Sequence, residues 1–362
     1  MKVTKLICIM VLSMCGVFCS CSMEYRRHEP SLTIHKSDMY KVLYYASLAG
    51  SSHNSQPWKV VVTGNQSIRL YADTTRELPV VDPDRRELYI SLGAFLENLT
   101  LAAGSLGYET NVALAENYKK NMPVAEIDLH KTVPTNFDLK LIERRMTLRI
   151  PFNKDPLKVT DVKQIVTPDP QHILYYSAIS EDGCFIAENA MSAYNQQAYS
   201  NAAQTELAKW MRFSDKDVEE KKDGLTTAGM QLTGIAGFVV RHYYKPEDSK
   251  KTSFIKAGIE KTKKQALGCG GWVIITATTN SVKEWINLGR IYQNINLTCT
   301  KLNIGFQPMN QIVEEEKFKT DVTKHLGIKG ELMFIARVGY IDKTPVPVSP
   351  RRSVEDFTQF VQ

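Results

Sequence analysis

The chain has 362 residues, 43% hydrophobic and 23% charged, with a formal net charge of +6, so it is long enough to bury more than one core. No run of Lys and Arg is interleaved with aromatics, which argues against nucleic acid as a partner. The 7 cysteines have no metal-ligand spacing, and no His-Glu-x-x-His, Ser-His-Asp order or carboxylate pair stands out, so no metal is expected and no catalytic residue is assigned.

Residues 1–21 read as a targeting segment. Lys2 and Lys5 make a basic start, and Leu6 to Phe18 is apolar but too short to span a membrane as a mature helix. The segment ends in Cys19-Ser20-Cys21, which resembles a bacterial lipoprotein cleavage site with Cys21 as the lipidated first residue. Phe18 departs from that pattern, and a plain secretory signal or an uncleaved anchor are the alternatives. The lipoprotein reading implies the bacterial cell envelope, with a lipid anchor on the periplasmic side or in the outer membrane. Losing Lys2 and Lys5 lowers the charge from +6 to +4. Beyond Cys21 the chain keeps Cys184, Cys269 and Cys299, expected as buried small apolar residues rather than a disulfide framework. Residues 22–35 form a linker.

Helical periodicity follows through Met39, Val42, Leu43, Tyr45, Ala46 and Leu48, closed by Gly50. Next comes Gly50-Ser51-Ser52-His53-Asn54-Ser55-Gln56-Pro57-Trp58, then the β-branched run Lys59 to Val62. That order describes a polar loop feeding a buried strand. Its hydroxyls, imidazole and amides can hydrogen-bond the edge of a planar, heteroatom-rich ligand. An ordinary polar turn fits the same residues. A second strand is expected at Ile68 to Tyr71. Asp84 is a plausible N-cap for the helix that carries Tyr89.

Two later segments repeat one pattern. Tyr89-Ile90-Ser91-Leu92-Gly93, with Asn98 and Leu101, matches Trp285-Ile286-Asn287-Leu288-Gly289, with Asn294 and Leu297, at one constant offset. Each is an amphipathic helix followed by an apolar strand, near Ala125 to Leu129 and near Leu332 to Val338. The pattern is either a chance likeness of two helices or two copies of one unit. Between them stands Glu143-Arg144-Arg145-Met146-Thr147-Leu148-Arg149. Arg gives forked donors and Thr a hydroxyl, a set that suits a phosphate monoester; a solvated basic turn is the other reading. Ser192 to Gln265 is long, helical and rich in charge and glycine; within it Lys261, Lys263 and Lys264 read as a solvated face. A Pro-rich stretch leads to Ser349-Pro350-Arg351-Arg352-Ser353, readable as a mobile basic tail.

The loop from Gly50 to Trp58 resembles the flavin-contacting pattern Pro-Ser-x-x-Asn-x-Gln-Pro-Trp of the nitroreductase family, with Gly50 in place of the first Pro. Arg145-x-Thr147-x-Arg149 resembles the family's phosphate pattern Arg-x-Ser-x-Arg/Lys, and Arg351 and Arg352 resemble the basic residues its tail returns to the phosphate. Asp82-Pro83-Asp84-Arg85-Arg86-Glu87 resembles a signature of the Acg-like branch, whose chain is a fused pair of copies. In the family the phosphate pattern precedes the loop; here it follows. Each copy would then keep the half of the site that the other lost.

The resemblance implies an α+β nitroreductase-like fold. Two pseudo-symmetric halves, 36–138 and 139–342, mimic the family homodimer, with antiparallel-rich sheets flanked by helices. It also implies a helical lid at about 192–265, an arm at 343–362, and a monomer acting as a pseudo-dimer. One FMN at the interface is implied, with Ser51, Ser52, His53, Asn54 and Gln56 at the ring side. Arg144, Arg145, Thr147, Arg149, Arg351 and Arg352 fall toward the phosphate, and Pro308 and Met309 at the ring. The implied function is an FMN-binding oxidoreductase that reduces a small-molecule acceptor. The donor by resemblance is NAD(P)H, although an exported chain meets no such pool. A non-catalytic, flavin-sequestering envelope protein is the alternative. Flavin chemistry needs no nucleophile or acid–base pair from the chain.

Overall fold

A computed structural model describes residues 36–64 and 66–361. The expected targeting segment, the linker and Cys21 lie outside the described residues.

The first half begins with helix α1 (Asp38–Ser47), capped by the Ser37 hydroxyl on the Tyr40 amide. After the polar loop come β1 (Trp58–Thr63) and β2 (Ser67–Ala72), then the long helix α2 (Arg86–Ser105), β3 (Tyr108–Leu114) and β4 (Ala125–Lys131). In β1, Trp58, Val60 and Val62 are buried while Lys59 and Thr63 are exposed, the period of two that a half-buried strand requires. The strand order is β1-β2-β4-β3, antiparallel throughout.

The second half repeats this plan. The short α3 (Lys140–Arg144) and α4 (Val159–Val166) lead into β5 (Ile173–Ser177), and β8 (Gly271–Ala277) lies beside it. A second long helix, α10 (Val282–Lys301), precedes β9 (Ile304–Pro308) and β10 (Glu331–Tyr340). The sheet order is β5-β8-β10-β9, again antiparallel. In both sheets the strand after next from the long helix takes the inner position and its predecessor the edge. β8 is buried along its whole length and reads as an unbroken apolar run.

The two long helices pack on each other, and the contact is reciprocal. A methyl group on Gly93 would lie 2.0 Å from the Ile286 carbonyl, and one on Gly289 would lie 2.1 Å from the Ile90 carbonyl. Tyr89 and Trp285, matched positions of the repeat, stack with ring centres 5.8 Å apart. Around them Gln293 donates to Asn98 at 2.7 Å and Arg290 to Glu97 at 2.9 Å. One continuous apolar core runs from Val42 and Trp58 through Phe95 to Ile286, Phe306 and Phe334, so the halves share it.

Between β5 and β8 the chain makes a helical insertion: α5 (Glu181–Ala198), α6 (Asn201–Trp210), α7 (Asp215–Lys221), α8 (Gly234–Tyr243) and α9 (Thr252–Ala266), with a two-strand pair, β6 (Met211–Arg212) and β7 (Leu225–Thr226). After β10 and the short helices α11 (Gln311–Glu314) and α12 (Glu316–His325) that precede it, the C-terminal arm folds into α13 (Val354–Phe357) and β11 (Thr358–Val361). β11 joins the first half's sheet, parallel to β1, so the arm is not a mobile tail.

Two local expectations are corrected. Asp84 does not cap α2; the Asp82 carboxylate does, accepting from the Glu87 and Leu88 amides at 3.1 Å each. The turn through Arg85 (φ 63°) places the capping group further back than the usual spacing. Cys184 is exposed, while Cys269 and Cys299 are buried. No helix among the described residues is long and apolar enough to cross a membrane.

Candidate functional site

A cavity of about 630 Å³ opens where the polar loop, the segment after α3, the long helices and the insertion converge. Its size suits a cofactor-sized ligand. Gly50, Ser51, Ser52 and His53 form one wall. Thr147 and Arg149 also line it, with Pro308 and Met309 at the end of β9. Tyr194, Met230, Lys261 and Gln265 of the insertion complete the enclosure, and much of the remainder is apolar. Two segments far apart in sequence therefore meet at one site.

The loop is held in an unusual shape. His53, Asn54 and Gln56 have φ of 48°, 53° and 52°, the left-handed region that non-glycine residues seldom adopt. Such strain persists only where the surroundings over-determine it. The Ser51 hydroxyl accepts from the Gln56 amide at 3.0 Å, and Arg76 donates to the Ser55 carbonyl at 2.7 Å. Gln56 is fully buried, donating to the Lys222 carbonyl at 2.8 Å and accepting from the Arg352 amide at 2.9 Å. Asn54 donates to the Gly224 and Pro350 carbonyls and accepts from Arg351 at 2.8 Å.

These bonds place six of the expected site residues away from the cavity lining. Asn54 and Gln56 clamp the loop to the insertion and the arm. Arg351 spends its guanidinium on Asn54 and the carbonyls of Ala49 and Pro350, and Arg352 on the carbonyls of Gln56 and Asp356. Both arginines therefore brace the loop from behind. Arg145 is buried beside Gly50 and donates to the Leu48 carbonyl at 3.2 Å. Arg144 is exposed, pointing to Asn303. The helix α3 ends at Arg144, so consecutive arginines leave it on different sides, a placement that linear spacing does not give.

Charge inside the cavity is segregated. Arg149 donates to the Gly229 carbonyl, and burial pushes its basicity down. Lys261, expected as part of a solvated face, instead lines the cavity. Burial, then the charges of Arg149 and Arg337, push it down to about 8. Lys263 and Lys264 are exposed as expected. Near these cations Arg337 is fully buried, bonded to Gln307 and to the Gly268 and Ile150 carbonyls, and burial lowers it to about 9. No carboxylate is paired with this group in the hydrogen bonds or ion pairs of Arg149, Lys261 or Arg337 among the described residues.

The cavity also holds a carboxyl pair, a feature the sequence reading missed by naming no carboxylate pair. Glu87 and Glu314 both line the cavity. Glu87 accepts from the Ser52 hydroxyl at 2.7 Å and from Asn310 at 2.9 Å. Burial pulls Glu87 upward, but Arg86 and these donors outweigh it and hold it low. Glu314 is raised well above the usual range by burial and by Glu87. The two come from helices separated by most of the chain, so no local motif announces them. His53 sits beside them, enclosed, with no hydrogen-bond partner on Nδ1. Burial lowers its ring to about 4, Glu87 working against the fall and Arg149 with it.

The architecture is α+β, with two mainly antiparallel sheets, two long helices packed face to face, and a ligand-sized cavity lined by residues from both ends of the chain. The sequence profile of the nitroreductase family matches residues 142–340, and the chain belongs to that family. It is similar to a Mycobacterium tuberculosis protein provisionally named NAD(P)H nitroreductase, 23% identical over 333 residues that cover 88% of this chain and 90% of the relative. Among solved structures it is similar to the FMN-dependent nitroreductase of Mycobacterium smegmatis in complex with NADPH: TM-score 0.41, 15% identity, 62% of this chain and 97% of that one. It is also similar to a Bacteroides fragilis nitroreductase with bound FMN: TM-score 0.33, 13% identity, 59% and 96%.

Proposed function

We propose that the chain is an FMN-dependent oxidoreductase of the nitroreductase type, holding one flavin in the cavity between its two halves. The observation that carries this is the composite cavity, which joins Ser51, Ser52 and His53 to Thr147, Arg149, Pro308 and Met309. Its chemistry fits FMN. Arg149 and Lys261, with the Thr147 hydroxyl, suit a phosphate that carries nearly two negative charges. The apolar stretch of Leu207, Met211, Leu225, Met230 and Leu232 suits a flat ring system. His53 Nδ1, enclosed and unpartnered, suits a polar atom on the ring edge. When bound, the flavin supplies two-electron chemistry. The chain positions it through the braced loop and excludes water with the insertion.

The halves are, in this reading, two copies of one unit. The matched strand orders, the reciprocal glycine contacts and the stacked Tyr89 and Trp285 support that view. They are the contacts of a two-fold dimer interface drawn inside one chain. The acceptor is a small molecule, and the donor is a nicotinamide dinucleotide, as the names of the M. tuberculosis and M. smegmatis proteins suggest. Envelope attachment through Cys21 belongs to the same proposal. Mass spectrometry of the mature chain from cells would show acylated Cys21 at its start.

The purified protein should be yellow, with one FMN released per chain on denaturation. Colourless protein that FMN does not stabilise thermally overturns the reading; two flavins per chain overturn the single-site version. A sequestering role is the second reading, favoured by the share of the cavity lining that Tyr194, Met230 and Lys261 of the insertion supply. Chemically reduced protein offered a quinone separates the two. Reoxidation no faster than that of a buried flavin in plain buffer favours sequestration.

A further inference from the structure

The carboxyls of Glu87 on α2 and Glu314 on α11 meet at the wall of the cavity that Arg149 and Lys261 also line. We propose that they form a proton-sharing pair that delivers the proton needed when an acceptor in this cavity is reduced. The proposal rests on the oxidoreductase reading above and adds a chemical role that the family's flavin does not itself provide.

Geometry assigns the proton within the pair. Glu87 is supplied with donors: the Ser52 hydroxyl at 2.7 Å, the Asn310 amide at 2.9 Å and Arg86 at 3.5 Å. These stabilise its ionised form. Glu314 receives only the Gln197 amide, at 2.6 Å, besides its contact with Glu87. Two carboxylates in contact away from water do not both ionise, so the proton resides on Glu314. The other charged or titratable groups near the pair are Arg86 on the helix of Glu87, Asp82 in the turn before that helix, and His53 on the loop, which also feels Arg149. The lowered His53 ring stays neutral near pH 7 and does not compete for the proton. Its unpartnered Nδ1 is an independent sign that something polar occupies the space beside the carboxyls.

The step balances as follows. A quinone bound in the cavity accepts a hydride, two electrons and a proton, from the reduced flavin of the proposed site. The charge appears on a quinone oxygen. The Glu314 O–H bond breaks as the new quinone O–H bond forms, leaving both carboxyls ionised until water returns a proton. General-acid assistance of this kind is worth about 10²–10⁴-fold. Ser52 ties the pair to the ligand loop and Gln197 ties it to the insertion.

The test uses Glu314→Gln, which keeps the side chain's shape, and Glu87→Gln, which removes one of the two causes that keep Glu314 protonated and leaves its burial. Infrared spectroscopy of the flavin-free protein near neutral pH should show a protonated-carboxyl band that Glu314→Gln removes, and Glu87→Gln should move the titration of that band to lower pH. Rapid mixing of the reduced holoprotein with a soluble benzoquinone should slow by about 10²-fold in Glu314→Gln. The rates are compared at equal FMN occupancy. No such band in the parent, or a variant rate within about twofold of the parent's, overturns the pair. Since the band is read without flavin, a protein that never binds FMN defeats the functional reading while the band still judges the pair.

Discussion

Replacing Gly289 with alanine puts the internal two-fold contact to the test. The added methyl would sit 2.1 Å from the Ile90 carbonyl oxygen and 2.8 Å from the Gly93 Cα. An ordinary contact is about 3.5 Å, so the helices must part by about 1 Å, and a gap of that size forfeits up to about half of each lost contact. The obstructing atoms are backbone, so no side chain can rotate aside. Overpacking of this kind costs about 3 kcal/mol at the upper end, and alanine's better helix propensity returns about 1 kcal/mol. The expected net loss is about 2 kcal/mol, read by urea denaturation of the ligand-free protein. Gly93→Ala should cost nearly the same, because its methyl meets Ile286 in the mirrored position. The double variant should lose less than the sum by about 1 kcal/mol, since one separation accommodates both methyls. Gly104→Ala is the control: its methyl meets only the Thr135 side chain, at 3.2 Å, which can yield. FMN affinity should fall in the first two variants and not in the control. Unchanged stability in Gly289→Ala, or strict additivity of the pair, would refute the reciprocal-contact argument.

Arg149→Ala should weaken FMN binding by more than about tenfold in a fluorescence titration, the scale of a lost charge-assisted bond. The ligand-free protein should be no less stable, because a cation disfavoured by burial is removed. His53 carries a ring lowered from 6.5 to about 4, so between these values the unfolded chain binds the proton and the folded one does not. Its share of stability, about 3 kcal/mol, is present above pH 6.5 and lost as pH falls through the window. His53→Gln should flatten that acid limb in pH-dependent melting curves. Gln56→Ala strands the Lys222 carbonyl and the Arg352 amide, at a cost of about 2–4 kcal/mol by urea denaturation. An unshifted midpoint would show that water replaces both bonds.

The readings that survived rest on local signals. The β-branched run Lys59 to Val62 marked a strand on composition alone, and the polar loop before it was recognisable because its residues share one stretch. The repeat was legible because Gly93 and Gly289 serve the same close approach, which leaves the same residues at the same spacing. What was not legible depends on direction in three dimensions. Arg351 and Arg352 have the right charge for a phosphate, but their guanidinium groups bond Asn54 and loop carbonyls, and Arg145 gives one donor to the Leu48 carbonyl. Lys261 sits in a charged helical run, and only the fold shows that its face turns inward. Glu87 and Glu314 are separated by so much chain that no window contains both. β11 is a short polar-flanked stretch whose partner is the chain's first strand, a pairing that carries no periodic mark of its own.

That last pairing bears on how the molecule is made. Val60 to Thr63 offer a row of unpaired amides and carbonyls until Thr358 to Val361 arrive beside them. During synthesis nearly the whole chain must emerge before this edge is covered, and Asn54 and Gln56 wait equally long for Arg351 and Arg352. An exposed valine-rich edge is a template for pairing with other chains. Nascent or truncated forms ending before residue 350 should therefore be the aggregation-prone species, and the binding loop should be the last part of the molecule to acquire its shape.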